Sequence, residues 1–178
     1  MDYRFPAHTR PALTKALAET DSIHDAADTV FWSNPATDDL HRLGIGAFGK
    51  LPPAFAHLLA LSSLHTTVLD TGFSGYLKTR RSELPWATRA LRAAGMPQLA
   101  AAAIIAARDA SLSSPDDDLD RFWEDEHRTL ATPDQIRRPT GDRAEDPDEI
   151  YDINEPQDFE QRVLDYIRDH LDDFVRES

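Results

Sequence analysis

The chain contains no cysteine, which excludes disulfide staples, thiol nucleophiles and thiolate metal sites, and suits a reducing compartment. No run approaches the roughly 20 apolar residues of a membrane span, and MDYRFPAHTR at the N-terminus lacks the apolar core of a signal peptide. A cytoplasmic location is the expectation. Strand-like alternation and internal repeats are also missing, so neither a sheet nor a solenoid is expected. What the sequence does contain is a substantial apolar fraction, 40% of 178 residues, beside 29% charged residues. A chain of this length buries about two-thirds of its unfolded surface without staples. The expectation is one helical domain over residues 1 to 178, with a loose arm over residues 1 to 10.

Charge is unevenly placed. The net charge is −13, yet residues 1 to 110 carry 10 acidic and 11 basic side chains. Residues 111 to 178 carry 22 acidic and 8 basic side chains, so the whole excess lies in the last part of the chain. A field of that sign repels nucleic acid and membrane surfaces and attracts basic proteins.

The stretch from Leu58 to Ala107 organises the rest. Leu58, Leu61, Leu64 or His65, Val68 and Leu69 recur at three- and four-residue spacing, the period of one buried helical face. That helix is expected to stop at Asp70-Thr71-Gly72, where glycine supplies a positive φ and Asp70 bonds the turn. A short piece follows with Phe73, Tyr76 and Leu77 on one side. Ser82 is the expected cap of the next helix, lined by Leu84, Ala87, Leu91 and Ala94 and ended by Gly95. Pro97 then opens a helix whose Leu99 to Ala107 run is small and apolar, and therefore buried on most sides.

Before this core, the pattern predicts helices over 12 to 19, over 22 to 32 capped by Thr20 or Asp21, and over 38 to 43 capped by Thr37. A loop over 44 to 53 leads into the core. After it, Ser113-Ser114-Pro115 reads as a cap and a first-turn proline, followed by Asp116, Asp117 and Asp118 where a helix dipole favours negative charge. Residues 132 to 155 read as a mobile loop with an acidic run over 142 to 152. Pro156 starts a final helix to about Val175, with Phe159, Val163, Ile167, Leu171 and Phe174 on its apolar face. Asp158, Asp165, Asp169 and Asp172 fall on the opposite side.

The core carries a resemblance. A long helix, Asp70-Thr71-Gly72-Phe73, the pair Tyr76-Leu77, and Leu91-Arg92-Ala93-Ala94-Gly95 before an Ala-rich helix together resemble the bacterial DNA-mimic-protein (DMP) domain family. The family pattern is an Asn-Gly-Gly-Phe turn with two following aromatics. Here Asp70 and Thr71 replace the Asn and first Gly, and Leu77 replaces the second aromatic. The resemblance covers about residue 55 to the end, since Phe122-Trp123 and Tyr166-Ile167 with His170 also fit. The helix pattern itself predicts an all-α single-domain bundle of about eight helices around the 58 to 107 core; the resemblance implies DNA mimicry, a block on a transcription regulator and a homodimer.

Catalytic patterns do not hold up. Gly44-Ile45-Gly46-Ala47-Phe48-Gly49 matches a phosphate loop, but a buried strand does not precede it, and Pro52-Pro53 follows. Asp70-Thr71-Gly72 matches an aspartic protease motif, but its flanks are helical and no second copy exists. His8, His24, His41, His57, His65, His127 and His170 show no metal-ligand spacing, and Ser62, Ser63 and Ser74 have no nucleophile-elbow context. The acidic run lacks the glycine and final glutamate of a calcium loop. A metal, a cofactor and catalysis are therefore not expected.

The acidic surface remains. In the last helix, Asp165, Asp169 and Asp172 rise by about 6 and 4.5 Å, comparable to phosphates at about 3.4 Å of axial rise per strand residue and more along the backbone. The residues expected to act as phosphate surrogates are Asp116, Asp117, Asp118, Asp120, Glu124, Asp125, Asp158, Asp165, Asp169 and Asp172. The partner expected is a basic DNA-binding protein or nuclease, with no direct nucleic acid and no membrane. An immunity protein against a basic nuclease toxin, a hydrolase using Asp70, and a merely solubilising surface stay open as alternatives.

Overall fold

Helix formation in this chain begins with Leu13 and Leu17, four residues apart and both buried, on α1 (Arg10–Glu19). The computed structural model describes residues 10–32, 48–49, 51–110 and 136–175. Among them every regular element is helical, with eight α-helices and no strand, so the fold is all-α. The residues separate into two compact units: 1–66 with 158–178, and 67–157. The helix expected over 38 to 43, the cap Thr37, the arm before Arg10 and the Asp116 to Asp118 turn lie outside the described residues.

In the first unit, α2 (Ile23–Ala27) is capped by Ser22, whose Oγ accepts the Asp25 N–H at 3.0 Å. The expected caps are thus displaced: Thr20 is buried and donates its hydroxyl to the Ser22 carbonyl at 3.2 Å, leaving Ser22 to hold the helix. The chain continues as a π-helical stretch, Asp28–Trp32, burying Val30 and Phe31. Phe31 meets Phe55 edge to face at 6.3 Å, and Phe55 lies 5.1 Å from Phe174. Phe55 belongs to α3 (Pro53–Thr79), whose residues up to Thr66 fall in this unit. Ala54, Phe55, Leu58, Leu61 and Leu64 bury its inner face, as the periodicity predicts.

In the second unit, α3 breaks at Gly72, where φ is 73° and ψ is 173°. Phe73, Tyr76 and Leu77 are buried beyond the break. Leu69, expected in the core, is 74% exposed. The non-helical dihedrals at Gly72 reset the phase, so the face carrying Leu69 is not the one that packs after it. A 3₁₀ turn (Arg81–Glu83) leads into α4 (Leu84–Ala93). Ser82 lies exposed inside that turn and is not the cap; Glu83 occupies the cap position, its side chain making no capping bond. Gly95, at φ 74°, closes α4, with the Met96 N–H bonded to the Leu91 carbonyl at 2.8 Å. In α5 (Pro97–Asp109), Leu99 to Ala107 are all buried, and the helix packs against both α4 and α6 (Pro147–Asp152).

The expected loop over 132 to 155 is corrected in its second half. A 3₁₀ turn (Gly141–Arg143) precedes α6, which buries Ile150 and Tyr151 completely. Asp146 caps it, accepting the Asp148 N–H at 3.0 Å, and Pro147 takes the first-turn position. Asn154 ties the end of α6 to the segment at Arg137. Its Nδ2 donates to the carbonyls of Ile150 and Arg137, each at 2.8 Å, and its Oδ1 accepts the Arg137 N–H at 3.0 Å. Apolar anchors and a cap thus outweigh the acidic composition that suggests a mobile loop.

The last helix is also shorter than expected. It divides into α7 (Phe159–Asp169) and α8 (Leu171–Val175) in the first unit. His170 interrupts it with φ −115° and ψ 20°, its N–H shared between the Tyr166 and Ile167 carbonyls at 3.2 Å. Phe159, Val163, Ile167 and Phe174 are buried as expected, and Leu171 is half-buried.

Candidate partner-binding surface

Of the ten carboxylates singled out, Asp116, Asp117, Asp118, Asp120, Glu124 and Asp125 lie outside the described residues. The other four are all exposed and all in the first unit. Amphipathic α7 turns its apolar residues inward and therefore holds its acids outward. Asp165 and Asp169 are four residues apart on this one helix, about 6 Å in axial rise. The break at His170 puts Asp172 on α8, so the continuous row of acids is not formed. Asp158 sits at the cap position of α7 and not inside it.

The four differ in how free their charge is. Asp158 accepts Arg162 Nε at 2.8 Å, and that bond holds the carboxyl below its ordinary pKa while raising that of the guanidinium. Asp165 accepts from Gln161 Nε2 at 2.7 Å and from Arg168 Nη1 at 3.3 Å. Arg168 is itself tied to the Thr20 carbonyl at 3.0 Å. Asp169 and Asp172 have no such ion pair among the described residues. Their charge is therefore the most available of the four.

A second group of acids lies around α6, in the stretch whose composition reads as a loop. Asp142, Glu145, Asp146 and Asp152 are exposed there, and Asp148, Glu149 and Glu155 half-buried. Burial, followed by the neighbouring carboxylates Asp148, Glu149 and Asp146, lifts the Asp152 pKa; burial and then Asp152 lift that of Glu155. Glu149 pairs with Arg143. Asp148 is spoken for by the backbone: its Oδ1 accepts the Ser74 N–H at 2.6 Å, just past the break at Gly72. The turn is thus bonded by Asp148 and not by Asp70, which is exposed. Asp146-Pro147 before Ile150-Tyr151 is the signal in the sequence for a capped, anchored helix.

Of the described histidines, His57, His65 and His170 each lie against an aromatic ring. His57 Nδ1 lies 2.7 Å from the Tyr166 hydroxyl, whose pKa burial and the charge of Asp173 push up to about 12. His65 stacks on Phe159 with centroids 5.2 Å apart; burial lowers its pKa against the opposing pull of Glu160. Among the described residues no group of three or more potential ligands converges on a metal site, and no helix is long and apolar enough to cross a membrane. Of the phosphate-loop motif only Phe48, which is buried, and Gly49 are described.

No curated protein and no solved structure matches the chain. A family model, described as DMP19-like protein, matches residues 49–170. That span holds the Gly72 break, the α4 and α5 core, α6 and α7. The chain belongs to the DMP19-like protein family, the DNA-mimic-protein family that its central helices resemble.

Proposed function

We propose that this protein is an acidic binding module that presents carboxylates where DNA presents phosphates, and so competes for the basic face of a DNA-binding protein such as a transcription regulator. It acts by occupancy, without turnover. The observation that supports this reading best is the pair Asp165 and Asp169, exposed on successive turns of α7 in a chain of the DNA-mimic family. Asp172 and Asp158 add exposed carboxylates of the same unit, and Asp116, Asp117, Asp118, Asp120, Glu124 and Asp125 are proposed as further phosphate surrogates on charge alone. A carboxylate surface on a chain of net charge −13 steers a basic partner quickly and with strong salt dependence. Homodimerisation is part of the proposal as a family expectation, and sedimentation measures it.

The test is an affinity capture from lysate with wild type beside an Asp158→Asn, Asp165→Asn, Asp169→Asn, Asp172→Asn variant. Captured proteins are eluted first with duplex DNA and then with a salt gradient. A DNA-binding protein released by DNA from wild type and missing from the variant supports the proposal. A partner that survives all four substitutions, or that DNA does not release, removes the acidic face from the mechanism.

A further inference from the structure

Charge in the second unit is divided between two helices. Residues 78 to 92 carry Lys78, Arg80, Arg81, Arg89 and Arg92 against Glu83 alone, and α4 itself contains no acid. Residues 141 to 155, around α6, carry seven acidic side chains and one basic. Both helices pack on α5 and belong to the same unit, so one compact body presents the two signs at separate places. Glu145 and Asp152 are exposed in the acidic part and form no ion pair among the described residues.

Leu84, Ala87, Thr88 and Leu91 are buried on the inner face of α4. Trp86, Arg89 and Arg92 follow one another at three-residue steps along the other face. Trp86 is half-buried and Arg89 exposed, with its guanidinium 5.2 Å from the centre of the Trp86 ring. That contact orients the guanidinium without neutralising it. Arg80 is held by Glu83 at 3.0 Å, whereas Arg89 makes no ion pair among the described residues. Because Arg89 covers a face of the Trp86 ring, a nucleic-acid base cannot stack there, but a carboxylate can meet the edge of the guanidinium. The face therefore fits an acidic protein surface.

We propose that α4 is a contact face between two copies of this chain, in which Trp86 and Arg89 of one copy meet the acids around α6 of the second, and two-fold symmetry forms the same contact in reverse. Such a surface must be self-complementary, and a unit that carries both signs meets that condition. Copies of net charge −13 repel one another at long range, so they associate only where local charges are complementary. Tryptophan and arginine are the residue types that most often anchor interfaces. The inference rests on the homodimer included in the proposed function and gives it a face. It leaves the carboxylates of the first unit free for the partner.

Sedimentation velocity across a concentration series tests the contact without the DNA-binding partner. Wild type is expected to form a reversible dimer. Arg89→Glu, and separately a Glu145→Lys, Asp152→Lys variant, should each weaken it about tenfold, since each sets like charges opposite one another in both halves of the interface. An equimolar mixture of the two variants should recover the wild-type affinity, because opposite charges then meet in both halves. A variant that had lost its fold could not recover, so the mixture separates a lost contact from a lost structure. A monomeric wild type, a dimer indifferent to either reversal, or a mixture that fails to recover overturns the contact. So does a wild type that stays monomeric and retards a labelled single-stranded oligonucleotide through Arg89, which assigns the face to nucleic acid. The DNA-release result depends on carboxylates of the first unit, so the two readings fall separately.

Discussion

Single residues decide where this chain bends. Gly72 combines φ 73° with ψ 173°, a region that costs other residues about 1–3 kcal/mol. A Cβ there would also come within 2.8 Å of Asp148 Oδ1, the atom that receives the Ser74 N–H. Gly72→Ala should therefore lower the unfolding free energy by about 2 kcal/mol or more, from strain together with a disturbed hydrogen bond. Urea denaturation measures it, and in an Asp148→Ala background the loss should shrink, because the two changes share one contact. His65 gives a pH signature. Its folded pKa lies below the unfolded value of about 6.5 because burial disfavours the charged ring. Its contribution is present in full above pH about 6.5 and is lost as pH falls through the lower folded value. Urea midpoints recorded between pH 7 and 5 should fall less steeply in His65→Leu.

At the scale of the element, α5 is defined by side-chain size. Ala100 to Ala103 and Ala106 to Ala107 are buried, with α4 and α6 packed on the helix. Small side chains let the neighbouring helices approach closely, and no space is left for added methylenes. Ala103→Leu should cost about 1–3 kcal/mol through overpacking. An exposed change of the same kind, Ala93→Leu on α4, should stay within about 0.5 kcal/mol. Thermal denaturation of the two variants compares them directly. The acidic helix α6 makes the opposite point, since composition there argues for a loop. Its helix rests on the Asp146 cap, on Pro147, and on the burial of Ile150 and Tyr151.

For the whole molecule, the balance of charge matters more than any one carboxylate. Net charge −13 imposes self-repulsion that salt screens, with a Debye length of about 8 Å at 0.15 M. The melting temperature should rise as sodium chloride increases from 10 to about 150 mM. A flat or falling response would mean that the Asp158 and Asp165 ion pairs, which salt weakens, outweigh the repulsion. Partner association should show the reverse dependence, slowing with salt. Asp169→Asn with Asp172→Asn should slow it more than Asp158→Asn, whose carboxylate already faces Arg162.

By itself the sequence determined the helical class, the break at Gly72, the stop at Gly95, and the buried faces of α3, α4, α5 and α7. Those features follow from local periodicity and backbone preference, which act over a few residues. It also determined the segregation of charge, because composition needs no fold. Which acids are free was decided at both levels. Arg162 and Arg168 sit one helical turn from Asp158 and Asp165 and claim them, a local spacing already present in the sequence, whereas only the tertiary structure brings Ser74 to Asp148 across 74 residues. It also decided that Leu69 is exposed and that Tyr151 is buried. Contacts between residues distant in sequence carry no periodic signal, and no local reading of the chain contains them.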